Sequence, residues 1–318
     1  MSNKKEAVIL LNMGGPNNLD EVEMFLKNMF ADKNILTMKS DLLRAFVGGM
    51  IVFNRCESSQ EIYRQLGGKS PIVGHTKNLV SKLQERLGEG VIVDFVMRYT
   101  PPFADEVIER LNKEDIEKIY LIPLYPQQST TTTKSSLEDF EEAYHNSEGD
   151  AILVEIKHFF ENTTYNKAII ERIKEKIGDS EYKDFDMIFS AHGLPQKIID
   201  AGDVYQRQVE KHVEILKKIL QDENMNFHET HLAYQSKVGP MEWLKPSLED
   251  KLKTVRNRGV IIFPLAFTID NSETDFELEI EYREIAEELG FKEYRVCRCP
   301  NDSELFVDTL CELYEKMK

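Results

Sequence analysis

Short apolar runs alternate with longer segments in which apolar residues recur at helical spacing through most of this chain. Apolar runs of this kind predict buried strands, and helical spacing predicts amphipathic helices. The predicted strands are 7–12, 91–97, 119–124, 151–156, 187–190, 229–235 and 260–267. The clearest predicted helices are 19–30, 104–111 and 303–318. Such alternation is typical of βαβ units, so we expect an α/β fold with parallel sheets and helices on both faces.

A polar stretch from His145 to Asp150 is the best candidate for a domain boundary. At 318 residues the chain is long for a single hydrophobic core, so two domains are expected. We predict one domain over 1–148 and a second over 149–318, with the final helix able to pack on either half. A small-molecule site is then expected between the two domains.

A histidine stands where one of the predicted strands ends. The residues 189–195 read Phe-Ser-Ala-His-Gly-Leu-Pro, and the glycine and proline end the strand and begin a loop. His192 therefore lies at the carboxyl end of a strand, where open α/β sheets bind their ligands. A neutral imidazole there can bind a metal ion or accept a proton. A purely structural role, in which the ring only makes hydrogen bonds, fits the sequence about equally well.

A glutamate follows a second buried run, 260–267. If this strand and the strand of His192 belong to one parallel sheet, His192 and Glu273 leave the same edge and can face a common cleft. Two interpretations of Glu273 stay open. It can close a capping box with Asp270 at the start of a helix. It can also serve with His192 in binding a metal ion or moving protons.

Further glutamates continue from Glu273 at helical spacing, first Glu277 and then Glu281. Like charges at this spacing repel by a few tenths of a kcal/mol per pair, which a solvated helix face tolerates. The alternative is a row of carboxylates that attracts a divalent cation and leads it to the site.

Three other segments carry polar or unusual chemistry. Residues 11–16 form a glycine turn after the first strand and lack the third glycine or the lysine of nucleotide-binding motifs. Residues 129–136 are a Ser/Thr run that suits either an anion or a loop rich in helix caps. The apolar run from Ala45 to Phe53 contains a glycine pair and is flanked by arginines. It predicts either a buried helix or an exposed apolar lip for a flat, carboxylate-bearing ligand.

Composition narrows the possible partners and compartment. The net charge of −16 argues against general binding of nucleic acid or anionic membranes. The first apolar run ends before Asn12, which is too short for a signal-peptide core. Four cysteines are then expected to be reduced thiols, and we expect the cytoplasm. The spacing of Cys297 and Cys299 does not match common zinc or iron–sulfur motifs.

Several motifs in order along the chain resemble the ferrochelatase family, whose members insert ferrous iron into a porphyrin. The motifs are 11–16, 67–72, 98–99, 125–127 with the Ser/Thr run, 190–195, 202–205, 235–244 and 270–277. Because they cover nearly the whole chain, their combination is highly specific. The resemblance implies two Rossmann-like domains around a deep cleft that holds the active site.

The resemblance also implies roles for individual residues. His192 and Glu273 become the iron site and the proton-handling pair, and Glu277 and Glu281 become a path for the metal. The residues implied to contact the porphyrin are Asn12, Met13, Tyr63, Arg98, Tyr99, Tyr125, Trp243 and Phe267. No organic cofactor is implied, since Fe²⁺ and the porphyrin are both substrates.

Two positions depart from patterns seen in the family. Asn271 stands where many members have a histidine, so we do not assign it as a metal ligand. Thr130 stands where members with an iron–sulfur cluster have a cysteine, so we predict no cluster.

The substrate prediction depends on Met13. Protoporphyrin-using members tend to have methionine at this point, whereas members that use coproporphyrin tend to have tyrosine. We therefore expect protoporphyrin IX, with a coproporphyrin ferrochelatase or a cobalt or nickel tetrapyrrole chelatase as alternatives. A non-catalytic two-domain protein that binds an anion is the alternative from a different class. We further expect a monomer, with peripheral membrane contact through the run from Ala45 to Phe53.

Overall fold

Two four-stranded parallel sheets, each flanked by helices, form the fold of the computed structural model. It describes residues 5–237, 239, 241–257 and 259–318. Val238 and Pro240, which belong to the 235–244 motif, lie outside the described residues. The prediction of an α/β fold with parallel sheets is confirmed. The chain divides into two units, one running to His158 and including Val307–Lys318, and one over Phe159–Phe306.

The sheet of the first unit has the strand order β2-β1-β3-β4. Its strands are β1 Lys5–Asn12, β2 Val91–Met97, β3 Ile116–Pro123 and β4 Ile152–Glu155. β1 pairs with strands on both sides, and its last six residues are buried. A central parallel strand is covered on both faces, which is why this segment is a continuous apolar run.

Five α-helices lie between the strands or around them in the order of the chain in the described part of the first unit, before its final helix. They are α1 Glu21–Ala31, α2 Asp41–Gln65, α3 Ile72–Leu87, α4 Ala104–Leu111 and α5 Ser135–His145. Just before α5, Thr130–Lys134 forms one turn of π-helix. The Ser129 hydroxyl accepts a hydrogen bond from the Thr131 amide as a helix cap, which is the kind of contact that the cap-rich alternative for the Ser/Thr run predicts.

The run from Ala45 to Phe53 lies within α2. Of the two predicted alternatives, the structure shows a helix with an exposed apolar face. The exposed side chains are Leu42, Leu43, Phe46, Met50 and Phe53. Gly48 faces the other way, where a β-carbon would stand only 3.0 Å from the backbone oxygen of Phe30.

The boundary between the units differs from the predicted one. We expected the strand near residues 151–156 to begin the second domain, but β4 pairs with β3 in the first sheet. The polar stretch before β4 is therefore an ordinary loop within the first unit. The final helix, α11 Glu304–Met317, belongs to the first unit from Val307 onward. There the Tyr314 hydroxyl donates a hydrogen bond to Glu6 of β1.

The sheet of the second unit has the strand order β6-β5-β7-β8. Its strands are β5 Asp186–His192, β6 Thr230–Gln235, β7 Gly259–Pro264 and β8 Glu293–Val296. β8 is not among the predicted strands, because it has only four residues and charged residues interrupt the apolar ones. Since β5 and β7 are neighbours in one parallel sheet, the chain segments that follow them leave the same edge.

The helices of the second unit are α6 Thr163–Ile177, α7 Gln196–Asp200, α8 Tyr205–Asp222, α9 Leu248–Thr254 and α10 Tyr282–Glu288. A short 3₁₀-helix, Tyr182–Asp184, precedes β5. A nine-residue π-helix, Glu273–Glu281, follows β7 and leads directly into α10. Of all the helices that the structure describes, none combines the length and the apolar character needed to cross a membrane.

Candidate active site

His192 is the last residue of β5, and the backbone around it is tightly fixed. The Gly193 amide donates to the backbone oxygen of Gln235 on the neighbouring strand at 2.8 Å. A β-carbon at Gly193 would lie 2.8 Å from that same oxygen, so only glycine fits beside the histidine. The Tyr205 hydroxyl donates to the backbone oxygen of His192 at 2.9 Å. The imidazole therefore projects from a rigid strand end.

The structure brings His192 and Glu273 together. His192 Nδ1 lies 2.7 Å from Glu273 Oε2, and the two side chains are 36% and 31% exposed. The ring of Phe267 contacts the imidazole edge to face, with centroids 6.4 Å apart. Because Nδ1 faces the carboxylate, the opposite ring nitrogen, Nε2, is directed away from it. A carboxylate on Nδ1 fixes the tautomer and makes the imidazole more basic at Nε2.

The capping box considered for Asp270 and Glu273 is absent from this part of the described chain. The Asp270 carboxylate instead accepts hydrogen bonds from the Cys299 amide and from Asn301 Nδ2. Asn271 makes the side-chain contacts to the backbone here. Its Oδ1 accepts a hydrogen bond from the Glu273 amide at 2.8 Å, and its Nδ2 donates one to the backbone oxygen of Ile269. Both polar atoms of the Asn271 side chain are thus engaged in holding the start of the π-helix.

Ser236 completes the site, although it is not among the residues predicted from the sequence. Its hydroxyl oxygen lies 3.0 Å from Glu273 Oε2 and 2.5 Å from Glu277 Oε2, and its amide donates to Glu277 Oε1 at 2.7 Å. Ser236 follows β6 with a φ of 64°, a left-handed conformation that is costly for a residue other than glycine. Its position directly after a strand, within the 235–244 motif, was the available signal.

A second chain of hydrogen bonds connects Glu277 to the sheet. The Ser190 hydroxyl donates to Gln235 Oε1 at 2.8 Å, and Gln235 Nε2 donates to Glu277 Oε2 at 3.3 Å. Ser190 and Gln235 are buried on adjacent strands, so this chain ties the π-helix to the sheet. A π-helix is wound more widely than an α-helix and is often found at functional sites. Here it presents Glu273 and Glu277 toward the same serine.

The three titratable groups have perturbed pKa values. Burial lowers the pKa of His192, but the carboxylate of Glu273 more than offsets this and raises it above the usual value. Burial opposes ionisation of Glu273, yet the imidazole and the Ser236 hydroxyl keep its pKa below the usual value. Burial and the charge of Glu273 raise the pKa of Glu277 to about 7.

These values give the site a connected path for protons. A serine hydroxyl has one hydrogen, so Ser236 cannot donate to two carboxylates at once. With a pKa near 7, Glu277 is partly ionised at neutral pH. When Glu277 is ionised, Ser236 donates to it and can accept a proton that Glu273 has taken from His192 Nδ1. When Glu277 is protonated, it donates to Ser236, which donates to Glu273. The groups then form one chain from His192 through Glu273 and Ser236 to Glu277. Such a chain can accept a proton at the imidazole and pass it along the π-helix.

The next glutamate in the row, Glu281, lies at the end of the π-helix and is exposed. Its pKa is raised by partial burial and by Glu284. The row of carboxylates therefore runs from the half-buried site to the surface of the second unit.

The two residues of the second unit that were predicted to contact the porphyrin both lie beside His192. Phe267 contacts its ring, and Trp243 stands next to Gly193, 3.5 Å from where a β-carbon would be. Trp243 also bridges to Pro195 of the loop that follows the histidine. Both side chains are half-buried, so they offer apolar surface near the imidazole.

In the first unit, Asn12 and Met13 lie where β1 ends. Asn12 Oδ1 accepts from the Met13 amide, and the backbone oxygens of the two residues accept from the amides of Arg98 and Tyr99. Gly14 follows with a φ of 85°, and a β-carbon there would lie 2.4 Å from Thr100 Oγ1. This confirms that the glycine turn is required by close packing.

Arg98 is held by acidic residues of its own unit. Its guanidinium pairs with Asp139 at 3.0 Å and lies 3.6 Å from the buried Asp32, while Nε donates to Ser135. Burial raises the pKa of Asp139 to about 6, although Arg98 opposes this. Tyr99 is 0% exposed, and its hydroxyl donates to Asp32 at 2.8 Å. Its side chain therefore supports this network and presents no surface.

The other two tyrosines predicted to contact the porphyrin are also buried. Tyr63 lies within α2 and packs in the core with residues of α1. Tyr125 follows β3, and its hydroxyl lies 3.0 Å from Ser136 Oγ. The exposed polar groups of this region belong to other residues.

The four cysteines are free thiols, of which Cys297 and Cys299 are buried in the second unit and Cys56 and Cys311 lie in the first. Burial raises the thiol pKa values of Cys297 and Cys299, which disfavours the thiolate that metals bind.

Comparison with solved structures agrees with the fold. SirB from Bacillus subtilis, solved with Fe³⁺, is similar in structure with a TM-score of 0.58 over 98% of this chain and 95% of that one. At 12% identity this likeness shows the fold alone, which is that of the chelatases.

The sequence comparisons are more specific. The family model Ferrochelatase matches residues 5–318. The Ferrochelatase of Sulfurimonas denitrificans is 71% identical over 315 residues, covering 99% of this chain and 100% of the relative. That of Nitratiruptor sp. is 51% identical over 315 residues, covering 98% and 100%.

The chain belongs to the ferrochelatase family, and the resemblance predicted from its motifs is confirmed. The protein is accordingly an enzyme, a metal chelatase, for which the family implies iron and a porphyrin as substrates.

Proposed function

We propose that this protein inserts Fe²⁺ into protoporphyrin IX to form protohaem, with His192 and Glu273 as the catalytic pair. The observation that carries the proposal is the hydrogen-bonded chain from His192 through Glu273 and Ser236 to Glu277. A free-base porphyrin carries two N–H protons that must leave before the metal is bound. Neutral His192 accepts a pyrrole proton at Nε2, since Nδ1 is occupied by the glutamate.

The charge of Glu273 stabilises the imidazolium that forms. A proton then moves by way of Ser236 toward Glu277, whose pKa near 7 lets it release the proton to solvent near neutral pH. Resetting the path in this way leaves His192 neutral for the second pyrrole proton. The raised pKa of His192 makes it a stronger base than a free histidine.

The same groups are suitable ligands for the incoming metal. Imidazole nitrogen and carboxylate oxygen both suit Fe²⁺. We propose that Glu281 and Glu277 attract the ion and that Glu273 and His192 hold it. Because Nε2 of His192 has one lone pair, it gives up the ion to the porphyrin as it accepts a pyrrole proton. Occupation by a cation requires deprotonated ligands, so iron binding and proton release favour each other.

The porphyrin contacts are proposed from each unit separately. In the second unit Trp243 and Phe267 offer apolar surface next to His192. In the first unit we propose Asn12, Met13, Tyr63, Arg98, Tyr99 and Tyr125. Tyr99 acts there through Arg98, because its own side chain is buried. Bending the macrocycle turns its lone pairs toward the metal and costs strain energy on the order of 1–5 kcal/mol. Binding energy from the apolar periphery can offset that cost.

Met13 favours protoporphyrin over coproporphyrin. A methionine is apolar and adaptable, so it suits a macrocycle edge with vinyl groups better than one with additional carboxylates. The net charge of −16 acts in the same direction, because two propionates are easier to accommodate than four.

We propose that the exposed face of α2 serves in peripheral contact with a membrane surface, since it carries five exposed large apolar side chains. We further propose a monomer that acts in the cytoplasm, where free thiols persist. No iron–sulfur cluster is proposed, because Cys297 and Cys299 are buried with raised pKa values.

Anaerobic incubation with Fe²⁺ and either protoporphyrin IX or coproporphyrin III, followed by absorbance, tests the proposal. We expect metallation of both to be measurable and protoporphyrin IX to be preferred. A preference for coproporphyrin III would overturn the substrate assignment. Preference for Co²⁺ or Ni²⁺ and another tetrapyrrole in a competition assay would overturn the choice of iron as well.

A further inference from the structure

A second cluster of metal-binding side chains lies at the other end of β5 from His192. It consists of Asp186, the first residue of β5, together with Glu229 and His231 at the start of β6. One donor atom from each residue lies within 4.8 Å of the others. Neither the family resemblance nor the proposed reaction uses these residues.

The backbone holds the three side chains on one face of the sheet. The backbone amide of Met187 donates to the backbone oxygen of Glu229 at 2.8 Å, and the backbone amide of His228 donates to the backbone oxygen of Phe185 at 2.9 Å. His231 is paired with Ile188 in the parallel ladder. Because side chains alternate between faces, Asp186 shares a face with Ile188, and Glu229 shares a face with His231. The cluster is therefore fixed by strand register.

The donor spacing fits one ion. His231 Nε2 lies 2.9 Å from Asp186 Oδ2 and 3.5 Å from Glu229 Oε2. Metal–ligand bonds of about 2.0–2.2 Å in tetrahedral geometry place neighbouring donors about 3.3 Å apart. The two observed distances lie on either side of this value, so little movement is needed to bind an ion.

Burial and charge also favour a cation. The Asp186 side chain is only 1% exposed, His231 is 13% exposed and Glu229 is 62% exposed. Asp186 and Glu229 both offer carboxylate oxygens beside the His231 nitrogen, and carboxylate and imidazole together suit a divalent cation. Access comes from the side of Glu229, which directly precedes β6, an edge strand of the sheet.

We propose that Asp186, Glu229 and His231 bind a second divalent transition-metal ion, separate from the substrate iron. His228 supports the site, because its Nδ1 lies 2.7 Å from Asp186 Oδ1, the carboxylate oxygen that the ion does not use. Hydrogen bonds of this kind to a ligating carboxylate orient it and are often important for affinity.

Binding changes the tautomer of His231. Without metal its Nε2–H donates to Asp186, and with metal Nε2 supplies the lone pair while the ring hydrogen moves to Nδ1. One imidazole and two carboxylates suit Zn²⁺, Co²⁺ and Fe²⁺ better than Mg²⁺, which prefers all-oxygen sites that retain several waters.

The test uses full-length protein in which His192→Ala and Glu273→Gln remove the first site. After treatment with a chelator, this protein is titrated with Zn²⁺ against a chromophoric chelator, and Co²⁺ is followed by absorbance. We expect one Zn²⁺ per chain, not displaced by an equal concentration of Mg²⁺. Adding Glu229→Gln should weaken binding by at least about tenfold. Adding His231→Gln should abolish it.

Three controls make the result decisive. The exposed position of Glu229 means that Glu229→Gln leaves folding intact, so a loss of binding there cannot come from unfolding. His228→Gln should weaken binding by about 10–100-fold. His145→Gln, at the exposed end of α5, should leave it unchanged. Absence of Zn²⁺ binding in the starting protein, or equal binding with and without Glu229→Gln, would overturn the proposal.

Discussion

The two ends of β5 carry similar side chains in opposite electrostatic states. At the carboxyl end, His192 stands against two glutamates that share one serine hydroxyl. At the amino end, the single buried carboxylate of Asp186 lies between His228 and His231. Carboxylates outnumber imidazoles by two to one at the first end, whereas two carboxylates, Asp186 and Glu229, accompany two imidazoles at the second.

The pKa values follow from this difference. Burial and Glu273 raise the pKa of Glu277 to about 7. Burial also opposes ionisation of Asp186, but hydrogen bonds from its two histidines hold its pKa below the usual value. A carboxyl group with a pKa near 7 exchanges its proton at neutral pH, whereas a carboxylate held ionised does not. The carboxyl end is therefore suited to proton transfer, and the amino end to holding charge.

The largest expected effect comes from removing the base at the carboxyl end. His192→Ala should lower the metallation rate by about 10²–10⁴-fold, because a general base contributes roughly that much. The fold should persist, since the backbone of His192 is held by its strand and by Tyr205. Absorbance assays with Fe²⁺ and protoporphyrin measure the rate, with circular dichroism as a check on folding.

His145→Gln is the matched control, because this histidine is exposed in the first unit and makes only a local hydrogen bond to Glu141. It should retain the activity of the parent protein. Near-normal turnover in a folded His192→Ala protein would remove His192 from the mechanism and the main contrast between the two ends.

Glu273→Gln should have the next largest effect. Glutamine keeps the size of the side chain and its hydrogen bonds but loses the charge that stabilises imidazolium and metal. We expect the apparent affinity for Fe²⁺ to fall by about 10–100-fold, together with a lower maximal rate. Rates measured against Fe²⁺ concentration separate the two effects. Unchanged kinetics would mean that Glu273 serves only the local structure of the π-helix.

Glu277→Gln tests the raised pKa of Glu277 through the pH dependence of the free energy of unfolding. A folded-state pKa near 7, above the unfolded value of 4.5, means that the folded state holds its proton more tightly. The stabilisation from this proton is fully present below about pH 4.5 and is lost as the pH rises through 7. The loss amounts to about 2 kcal/mol in the free energy of unfolding, after allowing for the partial exposure of the side chain. Glutamine does not titrate, so the variant should lose less stability over this range. Urea unfolding at pH 5 and pH 8 gives the comparison, and parallel pH profiles would contradict it.

Much of the carboxyl end could be predicted from the sequence. His192 and Glu273 each follow a long apolar run, and the edge where parallel strands end is where ligands bind. The condition that both strands share one sheet is met by β5 and β7. The capping alternative at Asp270 was wrong, because that carboxylate accepts from residues 29 and 31 positions later in the chain. Pairings over such distances leave no local pattern.

The amino end could not be predicted in the same way. Asp186 is buried only because two histidines more than 40 residues away satisfy its charge. The sequence from His228 to His231 is a run of four polar residues without a common metal-binding spacing. Ser236 was missed for a related reason, since its left-handed backbone and its two carboxylate partners appear only once β6 and the π-helix are side by side. β8 and β4 show the same limit at the level of fold, because short strands are placed by their neighbours.

The smallest expected effect belongs to Glu281, the exposed end of the carboxylate row that the amino end lacks. Glu281→Gln should lower the rate at limiting Fe²⁺ by about twofold at low salt, because exposed charges contribute on the order of 0.5 kcal/mol or less. The difference should vanish near 1 M salt, where charges are screened within about 3 Å. The saturated rate should be unaffected, since the residue is proposed to attract the ion and takes no part in moving protons. A loss of rate that does not depend on salt, or a loss at saturating Fe²⁺, would show that Glu281 takes part in the reaction itself. The row of carboxylates would then do more than attract the ion.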